Sequence, residues 1–213
     1  MLQFITHSSE NITILEEIEN VVAGGCKWVQ LRMKDAEKEE IKEVARKAKE
    51  ICKKNDVILV IDDYVDIAKE LELDGVHLGK NDMPVDEARK LLGEEFIIGA
   101  TANTFEDIEA LRHTDIDYIG LGPFRFTSTK KNLSPVIGID GYAEIMRRKA
   151  ESSINLPIVA IGGICYDDIN DIMDTGISGI AVSGSLINAK NMTEETRKMI
   201  SLLESIVEKR LNF

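Results

Sequence analysis

Short apolar runs alternate with longer amphipathic stretches along the whole chain. The runs that read as strands are Leu2–His7, Trp28–Lys34, Val57–Asp62, Gly75–Leu78, Phe96–Thr101, Tyr118–Gly122, Ile158–Gly162 and Gly179–Ser183. Between them, apolar residues at helical spacing predict helices such as Ile12–Ala23, Glu39–Lys53, Val85–Leu92, Phe105–His113, Gly141–Ala150, Tyr166–Asp174 and Glu194–Lys209. Eight strand–helix units in 213 residues are the pattern of a parallel sheet closed into a (β/α)8 TIM barrel. A doubly wound open sheet shares that periodicity, but the even spacing leaves no point at which a crevice would open. No Pro-, Gly- or Ser-rich linker divides the chain, so residues 1–213 are expected to form one domain.

Composition narrows the class further. With 44% hydrophobic and 30% charged residues, the chain can bury a substantial core, which excludes disordered, collagen-like and disulfide-stapled classes. Lys and Arg total 26 against 38 Asp and Glu, a net charge of −12. Such a chain is a poor general binder of nucleic acid or anionic membrane, so an anionic ligand needs a pocket of reversed local sign. Cys26, Cys52 and Cys165 lack metal-ligand spacing and read as reduced structural thiols. No run approaches the ~18 apolar residues of a membrane span, and the first residues lack the marks of a signal peptide. A cytoplasmic protein is expected. Charged helix faces such as Glu37–Lys54 read as solvated surface, without a signal for a protein partner.

In such a barrel the chemistry belongs at the carboxyl ends of the strands. The second strand ends Gln30-Leu31-Arg32-Met33-Lys34; alternation puts Gln30, Arg32 and Lys34 on one face and Leu31 and Met33 on the other. The polar face suits an anion and a hydrogen-bonding ring, although two exposed cations would be the blander reading. The third strand ends Asp62-Asp63, and the fourth leads to Asp82, so carboxylates from neighbouring strands can converge on a hard cation such as Mg2+. Taken singly, Asp63 could equally cap a helix and Asp82 sit in a solvated loop. His7, His77 and His113 give no zinc signature, and His77 reads as a structural histidine. The longest connection follows the sixth strand; its Thr127, Ser128, Thr129 and Lys130 offer donors to phosphate oxygens, or form a polar surface loop. Gly163, Ser183 and Gly184 end the last two strands, where barrels commonly seat a phosphate.

The motifs QLRMK, IDD, GVHLGKND, IIGAT, DYIGLGP with TSTK, PIVAIGGI and GIAVSG, in this order, resemble the thiamine phosphate synthase family over nearly the whole chain. That resemblance implies a (β/α)8 barrel that joins a pyrimidine diphosphate to a thiazole phosphate and releases pyrophosphate. It implies that Gln30, Arg32, Lys34, Thr101 and Lys130 hold the pyrimidine diphosphate, with Arg32, Lys34 and Lys130 stabilising the leaving group; Leu31, Met33 and Asp62 are further substrate-binding candidates. Asp63 and Asp82 would hold Mg2+, and Thr127, Ser128, Thr129, Gly163, Ser183 and Gly184 would receive the thiazole phosphate. Three positions depart from the family pattern, the first being Tyr64 in place of the usual arginine after the paired acids. Thr101 replaces a serine and keeps the hydroxyl; Asp62 replaces an asparagine, loses a donor, and is expected to join the Mg2+ shell directly or through water. No protein nucleophile is required, in keeping with the absence of a Ser-His-Asp or Cys-His constellation. Thiazole tautomerases share much of this motif set but are expected to use a histidine near the sixth strand end, and none occurs after His113. A non-catalytic sensor of thiamine intermediates is the third reading, and it would not need to keep Asp63, Asp82 and Lys130.

Overall fold

A computed structural model, which describes residues 1–126 and 135–211, closes eight parallel strands into a barrel in chain order. They are β1 (Leu2–Ile5), β2 (Trp28–Leu31), β3 (Ile58–Asp62), β4 (Gly75–Leu78), β5 (Ile97–Ala102), β6 (Tyr118–Leu121), β7 (Ile158–Ile161) and β8 (Gly179–Val182). β8 pairs with β1, Leu2 lying opposite Ile180 and Phe4 opposite Val182, so the sheet has no open edge. The fold is a (β/α)8 barrel.

Around the strands run α1 (Ile14–Ala23), α2 (Lys38–Lys54), α3 (Val65–Glu70), α4 (Val85–Leu92), α5 (Phe105–Leu111), α6 (Gly138–Glu151), α7 (Ile169–Asp174), α8 (Gly184–Ile187) and α9 (Met192–Leu211). A 3-10 turn at Tyr166–Asp168 leads into α7. Helix starts follow local chemistry: Thr13 caps α1 in a reciprocal pair with Glu16, and Thr104 caps α5 with Asp107. In α2 the buried residues Ile41, Ala45, Ala48 and Cys52 recur at helical spacing and form the stripe that meets the sheet. The sequence pattern did not anticipate α3 and α8, which span six and four residues and are too short to display a period. Cys26 and Cys52 are buried, as expected of structural thiols, whereas Cys165 is exposed on the turn before α7, where no core forms around it.

Alternation along each strand sorts side chains between two cores. Phe4, Val29, Leu31, Ile61, Val76, Leu78, Ile98, Ile119, Ile158, Ile180 and Val182 face outward and pack with the helices. Inside the barrel Ile5, Trp28, Tyr118, Val159 and Ala181 form a separate cluster. The Trp28 and Tyr118 rings meet edge to face with centroids 4.6 Å apart. Two glycines make room inside: a Cβ at Gly99 would overlap the Tyr118 ring, and one at Gly120 would stand 3.0 Å from His77 Cε1. Val60, Ile97 and Ile161 are further apolar inward positions, while Gln3, Gln30, Arg32, Asp62, His77 and Thr101 carry polar side chains inward. At the opposite end of the barrel, Arg89 bonds the carbonyls of Gly93, Phe96 and Asp115 and the Asp117 carboxylate, tying loops together away from the mouth.

Candidate active site

The end of β3 places two carboxylates in a row. Asp63 takes φ +68°, a left-handed conformation that aspartate tolerates better than most residues, and its backbone N–H donates to the His77 carbonyl at 3.0 Å. Its carboxyl reaches that of Asp82 in the loop after β4. Asp82 is held there by the Gly79 N–H, which donates to its Oδ2 at 2.7 Å. Burial, then the neighbouring charges of Asp62 and Asp82, push the Asp63 carboxyl well above the usual carboxylate range, with Lys34 opposing. Two carboxyls brought together at a half-buried site, with a third beside them, are short of positive charge. That is the electrostatic demand a hard divalent cation meets. Among the described residues no cluster of three or more His, Cys, Asp or Glu is arranged to hold a metal ion. A two-carboxylate set suits Mg2+, which keeps several waters and borrows oxygens from a phosphate-bearing ligand. Neither aspartate caps α3, whose N-cap is Tyr64 and has no side-chain bond.

Next to this pair, Gln30 and Arg32 point inward from β2. Gln30 Nε2 donates to Asp62 Oδ1 at 2.6 Å, and Arg32 Nε lies 3.4 Å from Asp62 Oδ2. Asp62 is thus turned toward Gln30 and Arg32. The Thr6 hydroxyl holds the Arg32 backbone from β1, accepting from its N–H at 2.8 Å and donating to its carbonyl at 3.1 Å. Arg32 is buried, yet its Nη2 has no hydrogen-bond partner among the described residues. An uncompensated guanidinium nitrogen in a buried position is costly unless a ligand oxygen completes it. Lys34 is exposed at the rim. Leu31 and Met33 belong to the outer core and face the helices, so their side chains do not line the mouth. Their strand parity dictates this, and the contact expected of them with a ligand is limited to backbone groups.

Thr101, half-buried at the end of β5, lies 3.0 Å from His77 Nε2. His77 Nδ1 lies 3.0 Å from the Tyr118 hydroxyl, which also receives Gln3 Nε2 at 3.2 Å. The same Gln3 nitrogen donates to Gln30 Oε1 at 3.2 Å. Sequence reasoning missed Gln3 and Tyr118 as polar groups beneath the mouth. The available signal was parity, since both occupy inward positions on strands whose outward neighbours are apolar.

On the far side, β7 ends in Gly162 and Gly163, with φ +105° and +72°. Arg125, just after β6, donates to the Gly163 carbonyl at 2.9 Å and forms a two-pronged pair with Asp168 at 2.7 and 2.9 Å. β8 leads to Ser183, whose buried Oγ has no partner among the described residues, and to Gly184, the first residue of α8. Gly163 N–H, Ser183 Oγ and the turn at Gly184 are groups a phosphate can use. Thr127, Ser128, Thr129 and Lys130 lie outside the described residues.

The family model for thiamine monophosphate synthase matches residues 2–186. A thiamine-phosphate synthase of Bacteroides fragilis is 54% identical over 201 residues, covering 94% of this chain and 98% of that protein. One of Flavobacterium johnsoniae is 44% identical over 211 residues, covering 98% and 95%. Among solved structures, a thiamine phosphate pyrophosphorylase from Pyrococcus furiosus superimposes with a TM-score of 0.83 at 29% identity, covering 96% of each chain. A 3-hexulose-6-phosphate synthase, at 13% identity and a TM-score of 0.66, shares the fold alone.

Proposed function

The chain belongs to the thiamine monophosphate synthase family, and on that premise we propose that it joins 4-amino-2-methyl-5-(diphosphooxymethyl)pyrimidine to a thiazole phosphate, yielding thiamine phosphate and pyrophosphate. The observation that carries the reading to this chain's own residues is the buried, unpartnered Arg32 Nη2 beside the Asp63–Asp82 pair. Together they offer a hydrogen-bond donor and a pair of carboxylates suited to a hard cation, and a metal-bound diphosphate suits both. Gln30 and Thr101 would hold the pyrimidine ring, and Arg32, Lys34 and Lys130 the diphosphate. Asp63 and Asp82 would hold Mg2+, which supplies positive charge to the diphosphate oxygens when bound. Thr127, Ser128, Thr129, Gly163, Ser183 and Gly184 would receive the thiazole phosphate.

The chemistry asks for positioning and electrostatics. The exocyclic CH2 carbon loses pyrophosphate as the ring's amino group donates electrons into the developing cation. Arg32, Lys34 and Lys130 stabilise the charge that gathers on the leaving group, and each such donor is worth roughly 10²–10³ in rate. The thiazole nitrogen then forms the new C–N bond, with its phosphate anchored at β7 and β8 so that the attack is effectively unimolecular. A tautomerase reading lacks its histidine, because the sequence has none after His113. The substrates are small molecules, and neither nucleic acid nor membrane enters the scheme. Among the described residues no helix is long and apolar enough to cross a membrane.

The test is direct. Purified protein given both substrates should form thiamine phosphate and pyrophosphate in equal amounts, and only with Mg2+ present. Consumption of the pyrimidine diphosphate without thiamine phosphate, or isomerisation of the thiazole phosphate alone, overturns the reading.

A further inference from the structure

A continuous line of side-chain hydrogen bonds crosses the barrel interior from Asp62 through Gln30, Gln3, Tyr118 and His77 to Thr101. Gln3, Tyr118 and His77 have no part in the reaction described above. The bond directions are fixed, link by link, from the Asp62 end as far as the Tyr118 hydroxyl. Asp62 is paired with the Arg32 guanidinium, and an ionised carboxylate can only accept. The Gln30 amide must therefore turn its nitrogen to Asp62, at 2.6 Å, leaving Oε1 toward Gln3. An amide oxygen also only accepts, so Gln3 presents Nε2 to it, and the second hydrogen of that nitrogen goes to the Tyr118 hydroxyl. A phenol that accepts from Gln3 still has one proton to give. His77 Nδ1 stands 3.0 Å away to take it. Burial raises the Tyr118 phenol above its ordinary range, so that proton stays in place. With Nδ1 accepting, a neutral imidazole carries its hydrogen on Nε2 and donates to Thr101 Oγ1 at 3.0 Å. Thr101 then has its own proton left to direct into the mouth.

We propose that Gln3, Tyr118 and His77 are positioning residues: their relay holds His77 as the Nε2–H tautomer and makes Thr101 a hydrogen-bond donor to an acceptor atom of the bound ligand. On the functional reading above, that acceptor is a ring nitrogen of the pyrimidine diphosphate. The relay gives this face of the site a polarity that a lone threonine lacks, because a free hydroxyl donates or accepts at will. Losing the Tyr118 hydroxyl would release the imidazole. In the Nδ1–H form, Nε2 would accept from Thr101 and leave only lone pairs toward the ligand. The interior has been shaped for these rings, since Gly99 and Gly120 leave the space that Tyr118 and His77 occupy.

Long-range 1H–15N correlation spectra of the 15N-labelled protein read the tautomer without any substrate, with the His77 signals assigned by their loss in His77→Gln. The expected result is the neutral Nε2–H form at neutral pH. Tyr118→Phe keeps the ring volume and should give mixed tautomers. It should also raise KM for the pyrimidine diphosphate about tenfold, the scale of one hydrogen bond, with KM for the thiazole phosphate unchanged. Gln3→Met, near in volume and without a donor, should move both readouts the same way, and decides the matter if the tyrosine variant does not fold. An Nδ1–H form in the unmodified protein, or an unaltered tautomer in both variants, overturns the relay. An Nε2–H form in a protein that turns over neither substrate supports the relay and overturns the assigned reaction instead.

Discussion

Glu17 offers a measurable test of how the barrel stores a buried acid. It lies on the inner face of α1 with no exposed surface. One oxygen, Oε2, accepts from the His7 backbone N–H at 3.2 Å, while Oε1 has no partner among the described residues. Burial pushes the carboxyl up from 4.5 to about 7, outweighing the lowering by the His7 N–H. Between those two values the folded chain holds a proton that the unfolded chain has released. Stability therefore falls as pH rises through this window, and this group adds no slope below or above it. At 1.36 kcal/mol per pKa unit the full window holds about 3 kcal/mol, slightly less of it between pH 4.5 and pH 8. Glu17→Gln keeps the shape and an acceptor for His7 but cannot titrate. Urea unfolding of both proteins at about pH 4.5 and pH 8 should show the glutamine variant gaining about 2 to 3 kcal/mol relative to the unmodified protein. Asp63, raised as well, titrates in both proteins and cancels from the difference. A stability difference that stays constant with pH would refute the argument.

Three further expectations concern the site itself. Gly163→Val places a branched side chain at φ +72° with its Cβ 3.2 Å from that of Arg125, so thiazole phosphate binding should weaken while pyrimidine diphosphate binding persists; calorimetric titrations that lose both equally would mean a general collapse of the mouth. Lys130→Ala should slow single-turnover product formation on the order of 10²-fold without moving the urea midpoint, and an unchanged rate removes this lysine from the chemistry. Asp63→Asn should raise the Mg2+ concentration needed for half-maximal activity about tenfold or more, because one of two anionic ligands becomes neutral. A superimposable Mg2+ titration would release Asp63 from the metal site.

Much of this architecture was legible because parity and adjacency are local properties. The eight apolar runs placed every strand, and alternation alone turned Gln30 and Arg32 inward and Leu31 and Met33 outward. The proximity of Asp63 and Asp82 followed from two neighbouring strand ends. The direction of Asp62 did not, because it depends on which partner competes best for the carboxylate. Gln30 and Arg32 face it, contacts across β2 and β3 that the run of residues after the third strand does not reveal. The Gln3–Tyr118 bond joins residues 115 apart on strands that are not neighbours. Only closure and stagger of the barrel bring such a pair together, and no window along the chain contains both. Short α3 and α8 escaped for a simpler reason, having too few residues to repeat a pattern.

The hollow at Gly99 constrains how this barrel can change over generations. Any side chain there collides with the Tyr118 ring, whereas a small residue at 118 leaves a void where the ring was. Each single step leads through a crowded or emptied interior that costs several kcal/mol, a large share of a domain's stability. Changes of size at the two positions succeed only together, and the same holds more mildly for Gly120 with His77. A saturation scan made one site at a time would score most replacements at these positions as damaging, apart from shape-keeping ones such as Tyr118→Phe. A library that varies them in pairs would find new interiors that the scan declares impossible.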